Sequence, residues 1–258
     1  DQEKQVGNQL NVGGNVNYIG SEKVSIVGND LHADGNTLIA SKGDIEIKEG
    51  RNKEQLSSGV KTVDKSLIKK ETRIIKHEHN YDTSKGSDVS GKDVVIYSQN
   101  ANATIQGSSV NAKDGLLVQA KNINVKEAED HTYAEDHYEK KRSGLASSFK
   151  GGVAKIGYEK SKSNLDSKSV NLEAAGSQLT AGTATLVAEN VLTVRGSDLN
   201  SQDQFDLHAK QVNLEAAKEI HHTEVHKTSK TSGFGLSMVY DPTVKAVDQY
   251  KQRQKQGG

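Results

Sequence analysis

The sequence predicts an all-β fold: a right-handed parallel β-helix of ~20–21-residue coils, with projecting β-hairpin insertions and a short C-terminal helix. Three observations predict it. A tetrapeptide of Gly, then Asn or Ser, any residue, then Leu or Val recurs along the chain, six of its copies falling in regular pairs. The aliphatic residues after each copy recur at nearly fixed offsets and alternate along the chain. The composition is also too polar for an ordinary globular core, at 33% hydrophobic and 4% aromatic residues with no Trp and one Pro.

The six copies begin at Gly7, Gly28, Gly86, Gly107, Gly176 and Gly196. Successive glycines are 21, 58, 21, 69 and 20 residues apart, so the copies form three pairs. Each pair with its following insertion makes a module: 1–85 (coils 1–47, insertion 48–85), 86–169 (coils 86–125, insertion 126–169) and 170–258 (coils 170–214, insertion and tail 215–258). Glycine suits a corner needing positive φ or close backbone approach, and the adjoining Asn or Ser suits turn hydrogen bonding.

After Leu199 the aliphatic positions are Leu207, Val212 and Leu214; after Leu179, Val187, Leu192 and Val194; after Val110, Val118, Ile123 and Val125. The pairs Val24/Ile26, Ile45/Ile47, Ile123/Val125, Leu192/Val194 and Val212/Leu214 show the two-residue period of a strand with one face inward. Such a strand, with polar neighbours, buries its aliphatic face only against copies of itself, so the coils stack in parallel. The chain starts at Asp1 without an initiator Met, which reads as an excised segment whose parent continues the ladder.

The three insertions hold 10 Lys and Arg against 6 Asp and Glu, 9 against 8, and 7 against 5, a sum of +7 that the ladder balances. In the first, Arg73 to His79 is the clearest strand; in the second, two polar arms flank a Gly- and Ser-rich centre, as in a long hairpin. In the third, Asp241-Pro242, the apolar Val244 and Val247, and the closing Gly257-Gly258 give the caps of a short helix.

Zero formal net charge, from 34 basic and 34 acidic residues, argues against a nucleic-acid binder. Cysteine is absent, which excludes disulfides and thiolate metal sites. No apolar run reaches the length of a membrane-spanning helix.

The paired coils ending in Ile123-Asn124-Val125-Lys126-Glu127-Ala128-Glu129-Asp130 and Val212-Asn213-Leu214-Glu215-Ala216-Ala217-Lys218-Glu219, each followed by a Ser-, Lys- and His-rich excursion, resemble the filamentous haemagglutinin-type repeats of two-partner-secreted exoproteins. The likeness is strongest to the second repeat region of contact-dependent growth inhibition effector proteins. It implies export through a dedicated outer-membrane transporter, display at the bacterial cell surface, and repeats without enzymatic activity or cofactor. It further implies contact with a target cell's outer membrane or surface receptor during toxin delivery, or, in adhesin members, with a host cell.

Other chemistry has weaker support. His222, Glu224 and His226 share one strand face and offer zinc donors, though a closed site needs about four ligands; His77 and His79 offer two. A solvated polar strand face explains both sets. A polysaccharide-cleaving β-helix would need paired carboxylates on adjacent rungs, but Asp30, Asp88 and Asp198 stand beside Gln9, Ser109 and Gln178 in neighbouring copies. Corner capping accounts for these aspartates. Phe234, Leu236 and Met238, in the most apolar stretch of any insertion, either pack on the ladder or meet a partner or membrane. Tyr133 and Tyr138 suit the same contact role, as do Tyr81 and Tyr158, unless they pair across strands.

Overall fold

The computed structural model describes residues 1–150 and 153–239, and every regular element among them is a strand. The helix expected after Asp241 lies outside the described residues. After β1 (Gln2–Glu3), the first coil holds β2 (Gln9–Val12), β3 (Val16–Gly20) and β4 (Val24–Val27), and the second β5 (Asp30–Ala33), β6 (Thr37–Ser41) and β7 (Ile45–Lys48). The first insertion is β8 (Gly50–Lys65) and β9 (Lys69–Lys85). The third coil is β10 (Asp88–Ser98) and β11 (Asn102–Gln106), and the fourth is the continuous β12 (Ser109–Lys126). The second insertion is β13 (Ala128–Lys150) and β14 (Val153–Ala175). The fifth coil is β15 (Gln178–Arg195), the sixth is β16 (Asp198–His208) and β17 (Gln211–Glu215), and β18 (Ile220–Val239) follows.

Consecutive coils pair in parallel regardless of how much chain separates them. Leu10, Leu31, Val89, Val110, Leu179 and Leu199 are mutual register partners in that order. A second column runs Tyr18, Ile39, Ile96, Val118, Leu186 and Leu207. A third runs Ile26, Ile47, Ile105, Val125, Val194 and Leu214. The middle coils are sealed: Ile39, Val89, Ile96, Val110, Val118, Leu179 and Leu186 are 0% exposed. Toward the outer coils the columns open at Leu10, 44% exposed, and Leu214, 69% exposed, while Ile26 stays buried. Complete burial of a Val, Leu or Ile side chain contributes about 1.5–3 kcal/mol, so these columns are the source of cohesion.

One offset differs from the sequence expectation. Leu186, not Val187, joins the interior column; Val187 pairs with Gln119 and His208 and is half-buried. The corner at Gly182 is one residue shorter than its counterpart in the fourth coil, and the corner at Glu189-Asn190 is one longer. The two changes cancel, which is why Leu192 and Val194 still follow the constant spacing. Gly182 permits the tight corner because a Cβ there would lie 2.6 Å from the Asp114 carbonyl oxygen. Ala103 and Ile105, with no counterpart among the expected pairs, complete the third coil.

The glycines that mark the repeat divide into two kinds. Gly28, Gly107 and Gly196, the second of each pair, have φ of 63°, 51° and 51°, in the left-handed region that disfavours a side chain. The first of each pair has no such φ, but a Cβ on Gly86 or on Gly176 would stand 2.5 Å from the carbonyl oxygen of its successor. The adjacent polar residues form a ladder. Asn8 N–H donates to Asn29 Oδ1 (2.6 Å), Asn29 N–H to Ser87 Oγ (3.2 Å), Ser87 N–H to Ser108 Oγ (3.0 Å), Ser108 N–H to Ser177 Oγ (3.3 Å) and Ser177 N–H to Ser197 Oγ (3.1 Å). Ser87 and Ser177 also donate to the carbonyls of Lys48 and Lys126, both at 2.7 Å. Those carbonyls stand where the chain leaves for an insertion, so each serine closes the base of one. The hydroxyl accepts and donates at once, satisfying buried main-chain groups.

The chain divides into two compact units: Asp1–Leu56, Glu78–Ala134 and Ser169–Thr223 in the first, and Ser57–His77, Glu135–Lys168 and Glu224–Gly258 in the second. The buried aliphatic columns all belong to the first. The bases of the insertions belong to it too, which places the unit boundaries further along each insertion than the end of the aliphatic repeat.

Candidate interaction surface

The second unit is made from parts of β8, β9, β13, β14 and β18, neighbours in that order within one sheet. The three residues between β8 and β9 permit only an antiparallel hairpin, with Ser66 N–H donating to the Lys69 carbonyl at 2.8 Å. No aliphatic stripe runs through these segments. Among the described residues of this unit, the only buried side chains are two glutamates, Glu71 and Glu139, each 6% exposed.

Both glutamates are covered by long cationic side chains rather than by packed protein. Glu71 lies 2.6 Å from Arg73, 3.2 Å from Lys140, 3.1 Å from Arg142 and 3.7 Å from Lys69. Hydrogen bonds from Arg73 and then Lys140 hold its carboxyl down at about 2, and the same pairing raises Arg73. Glu139 lies 2.7 Å from Lys141 and 2.8 Å from Lys162, whose hydrogen bonds likewise hold it at about 2. Lys140 and Arg142 alternate with Glu139 and Lys141 along β13, so the two clusters occupy opposite faces of the sheet. The sequence signal for them is a charge of opposite sign two residues away, as in Lys69-x-Glu71-x-Arg73 and Glu139-x-Lys141.

The residues singled out from sequence fall as follows. Phe234, Leu236 and Met238 are 79%, 83% and 69% exposed. Phe234 stacks on Tyr158 with ring centroids 6.1 Å apart, and exposed Leu145, Phe149 and Ile156 belong to the same unit. Tyr138 is half-buried. Tyr133 belongs to the first unit, where with Tyr81, His131 and Asn80 it lines a cleft of about 610 Å³. Glu224 and His226 are joined at 2.7 Å and both exposed, whereas His222 is exposed and falls in the first unit. His77 hydrogen-bonds Asp136 at 2.5 Å, and His137 hydrogen-bonds Asp166, each imidazole being taken up by a carboxylate. His79 lies in the first unit, 3.4 Å from the Tyr81 hydroxyl.

Parallel coils stacked in register, with insertion strands whose described segments in the second unit bury no aliphatic side chain, define an all-β repeat protein. The chain belongs to the hemagglutinin repeat family, which it matches over residues 1–67, 69–173 and 156–256. It is similar to the tRNA nuclease CdiA-2 of Burkholderia pseudomallei (strain 1026b), 24% identical over 237 residues. That match covers 90% of this chain and 7% of the relative. No solved structure matches the chain.

Proposed function

We propose that this chain is a right-handed parallel β-helical module of a bacterial exoprotein exported through a dedicated outer-membrane transporter of a two-partner system. It acts at the cell surface, touching the outer membrane of a target cell during toxin delivery in contact-dependent growth inhibition. Its coils set spacing and its insertions make contact, in three modules of two coils and one insertion each: 1–85, 86–169 and 170–258. We read it as non-enzymatic, without a resident cofactor; the nuclease activity named for the relative is not carried over, because the match spans so little of that protein.

The observation that carries this reading is the contrast within the chain: aliphatic columns are buried in one unit, while among the described residues of the other the buried side chains are salt-bridged glutamates and the large apolar side chains Phe234, Leu236 and Met238 are exposed. Family membership supports it, as does the likeness to CdiA-2. To test it, fluorescently labelled chain is incubated with Gram-negative cells and, separately, with cultured epithelial cells. The reading expects saturable binding to the bacteria, and protection of those bacteria from inhibitor cells displaying the intact exoprotein when unlabelled chain is in excess. Binding to epithelial cells alone would make it a host adhesin and overturn the target-cell reading.

A further inference from the structure

We infer that one face of the second unit is a binding site for a bilayer surface bearing phosphate headgroups, with a lysine band for the phosphates and an apolar band for the acyl boundary. This rests on the surface-contact reading above and assigns the chemistry that performs it.

A groove of about 360 Å³ is lined by Lys70 on β9, Lys141 on β13, Lys160 and Lys162 on β14 and Lys230 on β18, together with hydroxyl side chains. Four neighbouring strands thus each contribute lysine to one place. Like charges set side by side across strands destabilise a sheet. Glu139 answers two of them, Lys141 and Lys162. Lys70, Lys160 and Lys230 have no ion pair among the described residues, Lys160 lying instead 5.8 Å from the Tyr158 ring centroid. A repulsive row kept open in this way is suited to a ligand carrying several negative charges.

The apolar side chains share that face. Strand alternation puts Lys141, Leu145 and Phe149 on one side of β13, Lys160, Tyr158 and Ile156 on one side of β14, and Lys230, Phe234 and Leu236 on one side of β18. A Cβ on Gly157 would meet Phe234 and Gly235, and one on Gly233 would meet Tyr158 and Glu159, so β14 and β18 run antiparallel. The Tyr158–Phe234 stack shows these two strands presenting their rings to the same side. On each strand four residues separate lysine from apolar residue (Lys141 and Leu145, Lys160 and Ile156, Lys230 and Phe234), about 13 Å at the rise of a strand. Ser232 lines both the lysine groove and the cleft beside Phe234 and Leu236. Headgroup layers are several ångströms deep, and amphipathic elements seat their apolar side about 5–10 Å into the acyl boundary, so a 13 Å offset serves both layers at once. A soluble polyanion would occupy the lysines and leave 79–83% of Phe234 and Leu236 in water.

The test measures co-sedimentation of the whole chain with vesicles of phosphatidylcholine alone or mixed with phosphatidylglycerol, and competition by inorganic polyphosphate. The anionic vesicles are expected to bind and the neutral ones not. Replacing Lys70, Lys160 and Lys230 together by Gln is expected to weaken binding on the order of 100-fold, each lysine being worth roughly a fivefold change near an anionic surface. Phe234→Ser with Leu236→Ser is expected to weaken vesicle binding while sparing polyphosphate binding. Circular dichroism matching the parent confirms that both variants fold. Equal binding to neutral vesicles, or a triple variant that binds like the parent, overturns the assignment; so does a chain that binds polyphosphate but not the anionic vesicles, which marks a soluble-polyanion site. Failure here alongside retained binding to bacterial cells leaves surface contact standing and removes only its lipid chemistry.

Discussion

Gly86 and Gly107 hold the same place in consecutive coils and resist substitution for different reasons. Gly107 sits at φ 51°, and a Cβ on it would also lie 2.5 Å from the Ala128 Cβ. Gly86 is barred only by the Gly107 carbonyl oxygen. Gly107→Ala should therefore cost about 1–2 kcal/mol for the left-handed backbone plus a steric part, and adding Ala128→Gly should recover the steric part alone. Gly86→Ala should gain nothing from Ala128→Gly. Urea unfolding of the single and double variants checks this, and equal rescue of both would refute the division of roles. The repeated glycine was legible in the sequence; the division was not, since it depends on which carbonyl lies opposite. Likewise the Asn and Ser beside each glycine read as turn residues, but the hydrogen-bond ladder through them emerges only when six coils align.

Strands of the two units differ in what made them legible. Coil strands announce themselves because an aliphatic column leaves a two-residue period, and the misassigned Val187 shows its limit: a corner one residue short moves the period without erasing it. The insertion strands in the second unit bury no aliphatic face, so periodicity is silent there, and Arg73 to His79 was the clearest strand visible in the first insertion. Part of their stability is electrostatic, with a definite pH window. Glu71 and Glu139 are held at about 2 against an ordinary 4.5, so their contribution is complete above pH 4.5 and is lost as pH falls from 4.5 through 2. The cationic partners are partly exposed, and salt will screen the effect. Hydrogen exchange should show amides around Glu71 and Glu139 losing protection across that window, while those around Val110 and Leu179 keep theirs. Loss of protection in both regions together would tie the acid response to carboxylates of the coils instead.

At the scale of the molecule, the central claim is that coils stack in sequence order whatever intervenes. Val110 and Leu179 are 69 residues apart and pair as directly as Val89 and Val110, 21 apart. An insertion can therefore vary without disturbing the columns, provided that its base is closed as Ser87 and Ser177 close theirs. The absence of cysteine makes this measurable. Asn11, His32, Ser90, Asn111, Thr180 and Asn200 form a register column beside the buried one, one residue from each coil. Spin labels on cysteine at Asn11 paired with Asn111, Thr180 or Asn200 should give separations of about 14, 19 and 24 Å, rising by one strand spacing per coil. A jump well beyond one spacing between the Asn111 and Thr180 pairs, across the longest insertion, would contradict continuous stacking.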